Sequence, residues 1–386
     1  MVVVVVTVAG DGMPMATGTE FGAEGETDVA MAEVMADGDG PGVNTSVHAF
    51  YYTWYGDEDQ AFHHWDHRVL CHWNEALRHH HPCGHRFAPP DVGSPYYPAR
   101  GLYSSGDAAV VTGHTSDAGK AGIGVLVYGW TGQASNPRAV DGEGINTDII
   151  VDDVLRAVET SHVPVQIAFH SEPYEGRSPV SFADDAEYLA AHYFHYDSIY
   201  RIDGRPVVYV YDSYRSPAVE WADVLGKGGS LRGSDADVFA FGLCLDRGCV
   251  AELAAGGFDG LYTYFGSDGF SYGSSVSEWP ELVNEAHAAG LKVSLSVGPG
   301  YDDTRIRPWN SATRKDRDNG KYYVRMWEAA LASGPDYVSI TSFNEWGEGT
   351  QIEPAVARET TDYTYVGYGD RYLELTAEFV ERWSRR

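Results

Sequence analysis

The chain has 386 residues, 43% of them apolar, so it can bury a large core. It carries 27 Lys and Arg against 56 Asp and Glu, a formal net charge of −29. This charge argues against nucleic acid and anionic membrane surfaces as partners, because both select basic patches. No apolar run reaches the ~18 residues that a transmembrane helix needs, so the sequence predicts none.

Residues 1–46 are predicted to form a disordered leader. They are rich in Gly, Ala, Met and acidic residues, contain no Lys or Arg, and show no sustained hydrophobic period. The first Lys or Arg is Arg68, so the apolar run from Val2 to Val6 lacks the basic flank of a signal peptide. We expect the folded domain to comprise residues 47–386.

The first predicted strand, Val47 to Tyr55, is followed by a long irregular segment, residues 57–105, that is rich in histidine, most densely over residues 79–85. With Cys71 and Cys83 these histidines could form a metal site, but their spacing fits neither paired CxxC nor HExxH. We therefore interpret the segment as a surface loop over one end of the fold. The chain has 4 cysteines, which permit one or two disulfides and leave the redox compartment open.

From residue 106 onward, helix-like and strand-like stretches alternate. The further predicted strands are residues 123–130, 163–174, 206–214, 238–245, 260–265, 292–297 and 337–346. The predicted helices are residues 106–122, 149–161, 182–202, 217–226, 249–256, 279–290, 319–333 and 369–386. Several strands are near-continuous apolar runs, as expected when both faces of a parallel sheet are covered.

Eight strands and eight helices over about 340 residues predict an α/β fold, a (β/α)₈ TIM barrel with enlarged loops at the C-terminal face of the strands. A doubly wound open sheet is the alternative. It is disfavoured because no GxGxxG motif follows an early strand.

Polar and aromatic residues gather where the predicted strands end, which is where a barrel places its chemistry. They are Tyr52, Trp54, Tyr55, Trp130, His170, Glu172, Asp212, Tyr264, Tyr301, Glu345 and Glu348. The opposite strand ends begin with Val, Pro, Gly or Lys. This asymmetry predicts a pocket at one end of the barrel.

Glu345 and Glu348 are the strongest candidates for chemistry, because a carboxylate pair at a strand end is the equipment of glycoside hydrolysis. The alternative is a turn with two solvated acids. His170 and Glu172 lie two residues apart and share one face of a strand, so they can bind sugar hydroxyls or form a structural pair. Arg307 can hold a substrate hydroxyl or pair with an acid.

Several long motifs, all in the same order, resemble glycoside hydrolase family 99, the endo-α-1,2-mannosidase/endomannanase family. They are FYYTWYG (50–56), HSEPY (170–174), VYDSY (210–214), GFDGLYTYF (257–265), SVGPGY (296–301), IRPWN (306–310) and SFNEWGEGTQIE (342–353). The resemblance covers about residues 47–383 and is greatest to the animal Golgi endomannosidases of that family.

The resemblance implies that residues 47–386 are the catalytic domain of a retaining, endo-acting hydrolase. Its substrate would be the internal α-1,2-mannosidic bonds of high-mannose N-glycans, glucosylated or not, or of mannan. No metal or other cofactor is implied. Location in the Golgi or secretory pathway is implied by the resemblance alone, and we expect a monomer.

The resemblance also implies roles for individual residues. Glu345 would deprotonate the 2-hydroxyl of the cleaved mannose, which then attacks C1 to form a 1,2-anhydro sugar, and Glu348 would protonate the leaving oxygen. Trp130 would stack on the neighbouring sugar, although Thr131 replaces the aromatic residue that animal relatives carry next to it. Substrate binding is expected from Tyr55, Trp130, His170, Glu172, Tyr264, Arg307, Asn344 and Trp346.

Two other functions remain open at this point. One is a barrel glycosidase that forms a covalent glycosyl-enzyme, with Glu345 or Glu172 as nucleophile. The other is a barrel that binds glycans without cleaving them.

Overall fold

Eight parallel strands close into a barrel in the computed structural model, which describes residues 42–386. In chain order, β1 to β8 are Asn44–Tyr51, Ile123–Trp130, Gln166–Ser171, Arg205–Val210, Phe239–Leu243, Gly260–Tyr262, Lys292–Val297 and Tyr337–Ile340. Each strand pairs in parallel with the next, and β8 pairs with β1. The predicted (β/α)₈ barrel is therefore confirmed.

One helix lies between each pair of consecutive strands, and the last helix follows β8. In chain order, α1 to α8 are Ala108–Lys120, Val151–Thr160, Pro179–His192, Ala218–Leu225, Cys249–Gly256, Trp279–Ala288, Lys321–Ser333 and Arg371–Ser384. Their starts and ends have local causes. Ser178 and Ser181 form a capping box before α3, and α5 ends at Gly257, whose φ of 81° suits glycine.

Strand β1 begins at Asn44, three residues before the boundary predicted for the leader. The Asn44 amide donates to the Gly122 carbonyl at 2.9 Å, which joins it to the barrel. Residues 44–46 are polar because they lie at the half-exposed N-terminal rim of the barrel, so they gave no apolar signal. Residues 1–41 of the predicted leader lie outside the described residues.

The alternation of side chains along each strand divides the hydrophobic core in two. The inward side chains fill the barrel with aromatic rings such as Phe50, Tyr209, Phe241 and Tyr262. The outward ones pack against the surrounding helices. The barrel is therefore solid, and any cavity must lie above the strand ends.

Enlarged loops cover that end of the barrel. Cys71–Cys83 and Cys244–Cys249 are disulfides, the second joining the segment after β5 to α5. The short antiparallel strand pairs are His67–Val69 with Gly84–Arg86, Tyr97–Pro98 with Ala355–Val356, Arg201–Ile202 with β4, and Arg358–Glu359 with Thr364–Tyr365. The 3₁₀ turns are Glu58–Gln60, Glu75–Leu77, Thr147–Ile150, Ser213–Arg215, Pro308–Thr313 and Asp318–Gly320.

Candidate active site

The segment after β8, residues 341–353, forms a tightly bonded catalytic loop. The Ser342 amide donates to the Thr350 carbonyl at 2.9 Å, and the Glu345 amide donates to the Ser342 hydroxyl at 2.7 Å. Gly349 has a φ of +62°, and a Cβ there would lie 2.8 Å from the Asp302 carbonyl oxygen. Only glycine fits this close approach, which lets the loop pass directly against the main chain of Asp302.

Glu345 and Glu348 face one cavity of about 230 Å³ above the barrel. The cavity is lined by Trp54, His64, His67, Leu70, Gly142, Glu143, Ile306, Arg307, Glu345, Gly347 and Glu348. The two glutamates are only 6% and 7% exposed. Because they share a cavity, both can act on the same bond. A larger open depression of about 720 Å³, lined mainly by charged residues of the segment 314–318, contains neither carboxylate.

Burial raises the pKa of both carboxyl groups. For Glu348 it raises the pKa to about 7, with Arg307 opposing the rise and Asp303 adding to it. For Glu345 burial raises the pKa well above its usual value, and the charge of Glu348 raises it further. Near neutral pH the pair therefore retains a proton.

The surroundings of the two carboxylates differ. Arg307 Nη1 lies 3.9 Å from Glu348 Oε1, whereas Glu345 Oε2 has no hydrogen-bond partner among the described residues. A nearby cation favours the ionised form and burial without a partner favours the neutral form. Arg307 therefore opposes the effect of burial at Glu348 and favours the ionised form of that carboxylate.

Arg307 is held beside Glu348 by a buried acid. Its Nη1 donates to Asp303 Oδ2 at 2.9 Å, and Asp303 also accepts from the Tyr301 hydroxyl at 2.9 Å and from Asn310 Nδ2 at 3.0 Å. Both sequence alternatives for Arg307 thus apply in part: it pairs with an acid and also lines the cavity.

His170, Glu172 and Tyr264 come together at the ends of β3 and β6, as predicted. His170 Nδ1 lies 2.7 Å from Glu172 Oε1, although the ring N–H does not point along that line and neither atom has an aligned hydrogen bond. His170 Nε2 is hydrogen-bonded to the Tyr262 hydroxyl at 2.9 Å, and the His170 ring stacks on Tyr264. Glu172 is near enough to the catalytic loop that its charge adds to the rise, caused chiefly by burial, in the Glu348 pKa.

Tyr55, Asn344 and Trp346 lie behind the cavity wall, which corrects the prediction that they contact substrate. Asn344 is fully buried, and its amide exchanges two hydrogen bonds of 2.7 Å with the main chain of Tyr52. The Tyr55 hydroxyl donates to the Asn344 carbonyl and accepts from the Trp346 amide. Trp346 Nε1 donates to Glu353 Oε2 at 2.9 Å. These bonds fix the backbone on either side of Glu345.

Trp130 lies outside the barrel, so the prediction that it stacks on a sugar is wrong. It is fully buried, its Nε1 donates to Asp148 Oδ1 at 2.8 Å, and its ring stacks on Tyr188 of α3. Its neighbour Gly129 faces inward instead, where a Cβ would lie 2.9 Å from a ring carbon of Tyr52. Because successive side chains of a strand point to opposite faces, Gly129 and Trp130 of β2 cannot both face the inside of the barrel.

Sequence reasoning missed cavity residues on the irregular loops, among them His64 and His67, whereas Trp54 was among the strand-end residues that predicted a pocket. The Trp54 ring stacks on Tyr52 at 4.4 Å, and the His64 ring stacks on Trp54 at 4.7 Å. His64 Nε2 is hydrogen-bonded to Asp141 Oδ2 at 2.7 Å, which joins the loop after β1 to the loop after β2. The prediction that residues 57–105 cover the barrel mouth is confirmed, but irregular segments have no period that selects individual residues.

Within residues 42–386, no group of three or more His, Cys, Asp or Glu side chains is arranged to hold a metal ion. In the same range, every helix is too short or too polar to cross a membrane.

Comparisons with known proteins show what the whole chain is similar to. Over 352 residues the chain is 40% identical to a human glycoprotein endo-alpha-1,2-mannosidase-like protein, covering 89% of this chain and 76% of the relative. It is 39% identical to rat glycoprotein endo-alpha-1,2-mannosidase over 358 residues, again covering 89% and 76%. The structure of the GH99 endo-alpha-mannosidase from Bacteroides thetaiotaomicron superposes with a TM-score of 0.81 at 35% identity, covering 89% of this chain and 98% of that one.

A family model described as glycosyl hydrolase family 99 matches residues 42–386. This match confirms the resemblance found in the motifs. The chain belongs to glycosyl hydrolase family 99 and is a glycoside hydrolase.

Proposed function

We propose that this protein is a retaining endo-α-1,2-mannosidase that hydrolyses an internal bond of high-mannose N-glycans, glucosylated or not, or of mannan. The observation that supports it most is that Glu345 and Glu348 share one buried cavity beside Arg307 and the Trp54 ring. The names of the relatives support mannosides as the substrate class.

In the first step, Glu345 takes the proton of the mannose 2-hydroxyl, and O2 forms a bond to C1. The bond from C1 to the leaving sugar breaks, and Glu348 gives its proton to the leaving oxygen. The product is a 1,2-anhydro sugar. The 2-hydroxyl is already held next to C1, so proximity replaces an enzyme nucleophile.

In the second step, Glu348 takes a proton from water while the water oxygen bonds to C1. The bond from C1 to O2 breaks, and Glu345 returns its proton to O2. Two displacements at C1 leave the α configuration unchanged. Glu348 acts as acid and then as base, which suits a pKa of about 7.

Substrate binding favours an ionised Glu345 and a protonated Glu348, as the first step requires. A mannose 2-hydroxyl that donates to Glu345 stabilises the ionised form of that carboxylate. The leaving oxygen, which accepts from Glu348, stabilises the protonated form of the other. The substrate thus stabilises the protonation states that the first step needs.

The surrounding residues divide into two groups. We assign His170, Glu172, Tyr264 and Arg307 to binding the mannose that is cleaved. Trp54 and His64 form the stacked wall for a neighbouring sugar, since an aromatic plate suits the apolar face of a pyranose. The buried residues Tyr55, Asn344 and Trp346 are positioning residues.

Incubation with matched glucosylated and unglucosylated mannose oligosaccharides, with products identified by mass, tests this function. We expect a disaccharide or larger fragment from the non-reducing end, because an internal bond is cut. Release of Glc-Man from the glucosylated oligosaccharide alone would identify glucosylated N-glycans as the substrate. Release of single mannose units only, or no cleavage of either, contradicts the proposal.

The pH dependence should follow Glu348. As the acid of the first step it must be protonated, so kcat/KM is expected to fall as pH rises above about 7. Arg307→Gln removes the cation that lowers the Glu348 pKa, so this alkaline limb should move to higher pH even though activity drops. Arg314→Gln, at an arginine whose side chain is 52% exposed, is the control. If the alkaline limb of kcat/KM in Arg307→Gln stays in place or moves to lower pH, the assignment of that limb to Glu348 is contradicted.

A further inference from the structure

We infer that Arg317 is a positioning residue that holds the catalytic loop in its active geometry. It precedes α7 and does not line the catalytic cavity. The inference rests on the proposed function for its kinetic readout, but the contacts that carry it are independent of that function.

Arg317 bonds directly to the main chain of the catalytic loop. Its Nη2 donates to the Gly349 carbonyl at 2.9 Å and to the Gln351 carbonyl at 2.7 Å. Gly349 immediately follows Glu348, so the first bond acts one residue from the catalytic carboxylate. The arginine is 8% exposed. A charged donor bonded to two buried carbonyls is a strong constraint on backbone position.

Three tyrosine rings enclose the guanidinium. Its central carbon lies 4.6, 4.7 and 4.5 Å from the ring centroids of Tyr96, Tyr368 and Tyr372. Its Nε and Nη1 groups have no hydrogen-bond partner among residues 42–386. The charge is therefore stabilised by ring faces and by the two loop carbonyls. This arrangement couples the position of the arginine to that of the loop.

Neighbouring contacts extend this coupling to both sides of the cavity. The Tyr368 hydroxyl also donates to the Gln351 carbonyl, at 3.3 Å. Gly300 makes room for the arginine stem, because a Cβ there would lie 2.7 Å from Arg317 Cγ. Gly300 adjoins Tyr301, which bonds to Asp303, the residue that holds Arg307. Arg317 thus lies between the segment that carries Glu348 and the segment that carries Arg307.

The test compares Arg317→Met and Arg317→Lys with Arg232→Met. Arg232 is a matched control because it also donates to main-chain carbonyls, including that of Val238 at 2.9 Å, but at the opposite end of the barrel. We expect Arg317→Met to lower kcat about 10- to 100-fold on a mannose oligosaccharide with a much smaller change in KM, as for a small misplacement of catalytic groups. Arg317→Lys should recover part of kcat. Arg232→Met should lower the melting temperature and leave kcat within about twofold.

Two further readouts separate positioning from general stability. A loosened loop admits water to Glu348, which relieves the burial that raises its pKa, so the alkaline limb of kcat/KM should move to lower pH in Arg317→Met. Hydrogen exchange of backbone amides in residues 345–351 should rise in Arg317→Met and not in Arg232→Met.

The exchange measurement needs no activity, so it distinguishes failure of this inference from failure of the proposed function. Equal kcat in Arg317→Met and Arg232→Met at equal folded fraction, or unchanged exchange in residues 345–351, overturns the inference. If Arg317→Met does not fold, the same comparisons apply to Arg317→Lys. Absence of mannosidase activity in the wild type overturns the proposed function and leaves the exchange prediction standing.

Discussion

Glu345→Gln is expected to slow hydrolysis of every mannoside severely, whereas Glu348→Gln is expected to spare substrates whose leaving group needs no proton. On a mannose oligosaccharide, loss of either general acid–base group should cost about 10²- to 10⁴-fold in kcat. On a mannobiosyl fluoride, the bond to fluorine breaks without an acid. Glu348→Gln should then release the first equivalent of fluoride at nearly the wild-type rate and turn over slowly afterwards.

Fluoride release in a single turnover and in the steady state measures this difference. Glu359→Gln is the control, since Glu359 is exposed on the segment that follows the catalytic loop. If Glu348→Gln loses as much activity on the fluoride as on the oligosaccharide, the role of Glu348 as the acid is contradicted. If the fluoride substrate rescues Glu345→Gln and does not rescue Glu348→Gln, the two roles are reversed.

The barrel could be predicted because its signals are local and repeated. Strands β2 and β7 and helix α5 occupy the residues predicted for them. Errors concentrate at the C-terminal strand ends. The fourth predicted strand ran through residue 214, whereas β4 ends at Val210, since the polar residues beyond it rise out of the sheet to form the rim. A run of β-type residues does not distinguish the last paired residue from the first rim residue.

The sequence predicted which strand ends form the candidate site, but it did not predict which side chains there line the cavity. Glu345 and Glu348 line the cavity because their motif follows the end of β8, and Arg307 lines it from the loop that follows β7. Asn344 and Trp346 belong to the same motif yet face the protein interior, where they bond to Tyr52 and Glu353. A motif indicates which segment is near the chemistry, while the direction of each side chain depends on the path of the loop.

A 2-deoxy analogue of the cleaved mannose tests the central claim, that the sugar's own 2-hydroxyl is the nucleophile. Glycosides that lack the 2-hydroxyl are intrinsically more reactive to hydrolysis, so a rival mechanism with a covalent bond to Glu345 or Glu172 should cleave the analogue. In the proposed mechanism the analogue has no oxygen that can attack C1. It therefore loses the advantage of an intramolecular nucleophile, an effective molarity on the order of 10⁵ M or more.

The most direct measurement therefore compares wild-type kcat/KM for an α-1,2-linked mannose oligosaccharide and for the same oligosaccharide deoxygenated at C2 of the cleaved unit. Competition by the analogue verifies that it binds. We predict that it inhibits but is not hydrolysed at a detectable rate. Hydrolysis at a rate comparable to that of the parent, with a glycosylated Glu345 or Glu172 peptide found by mass mapping, contradicts the mechanism.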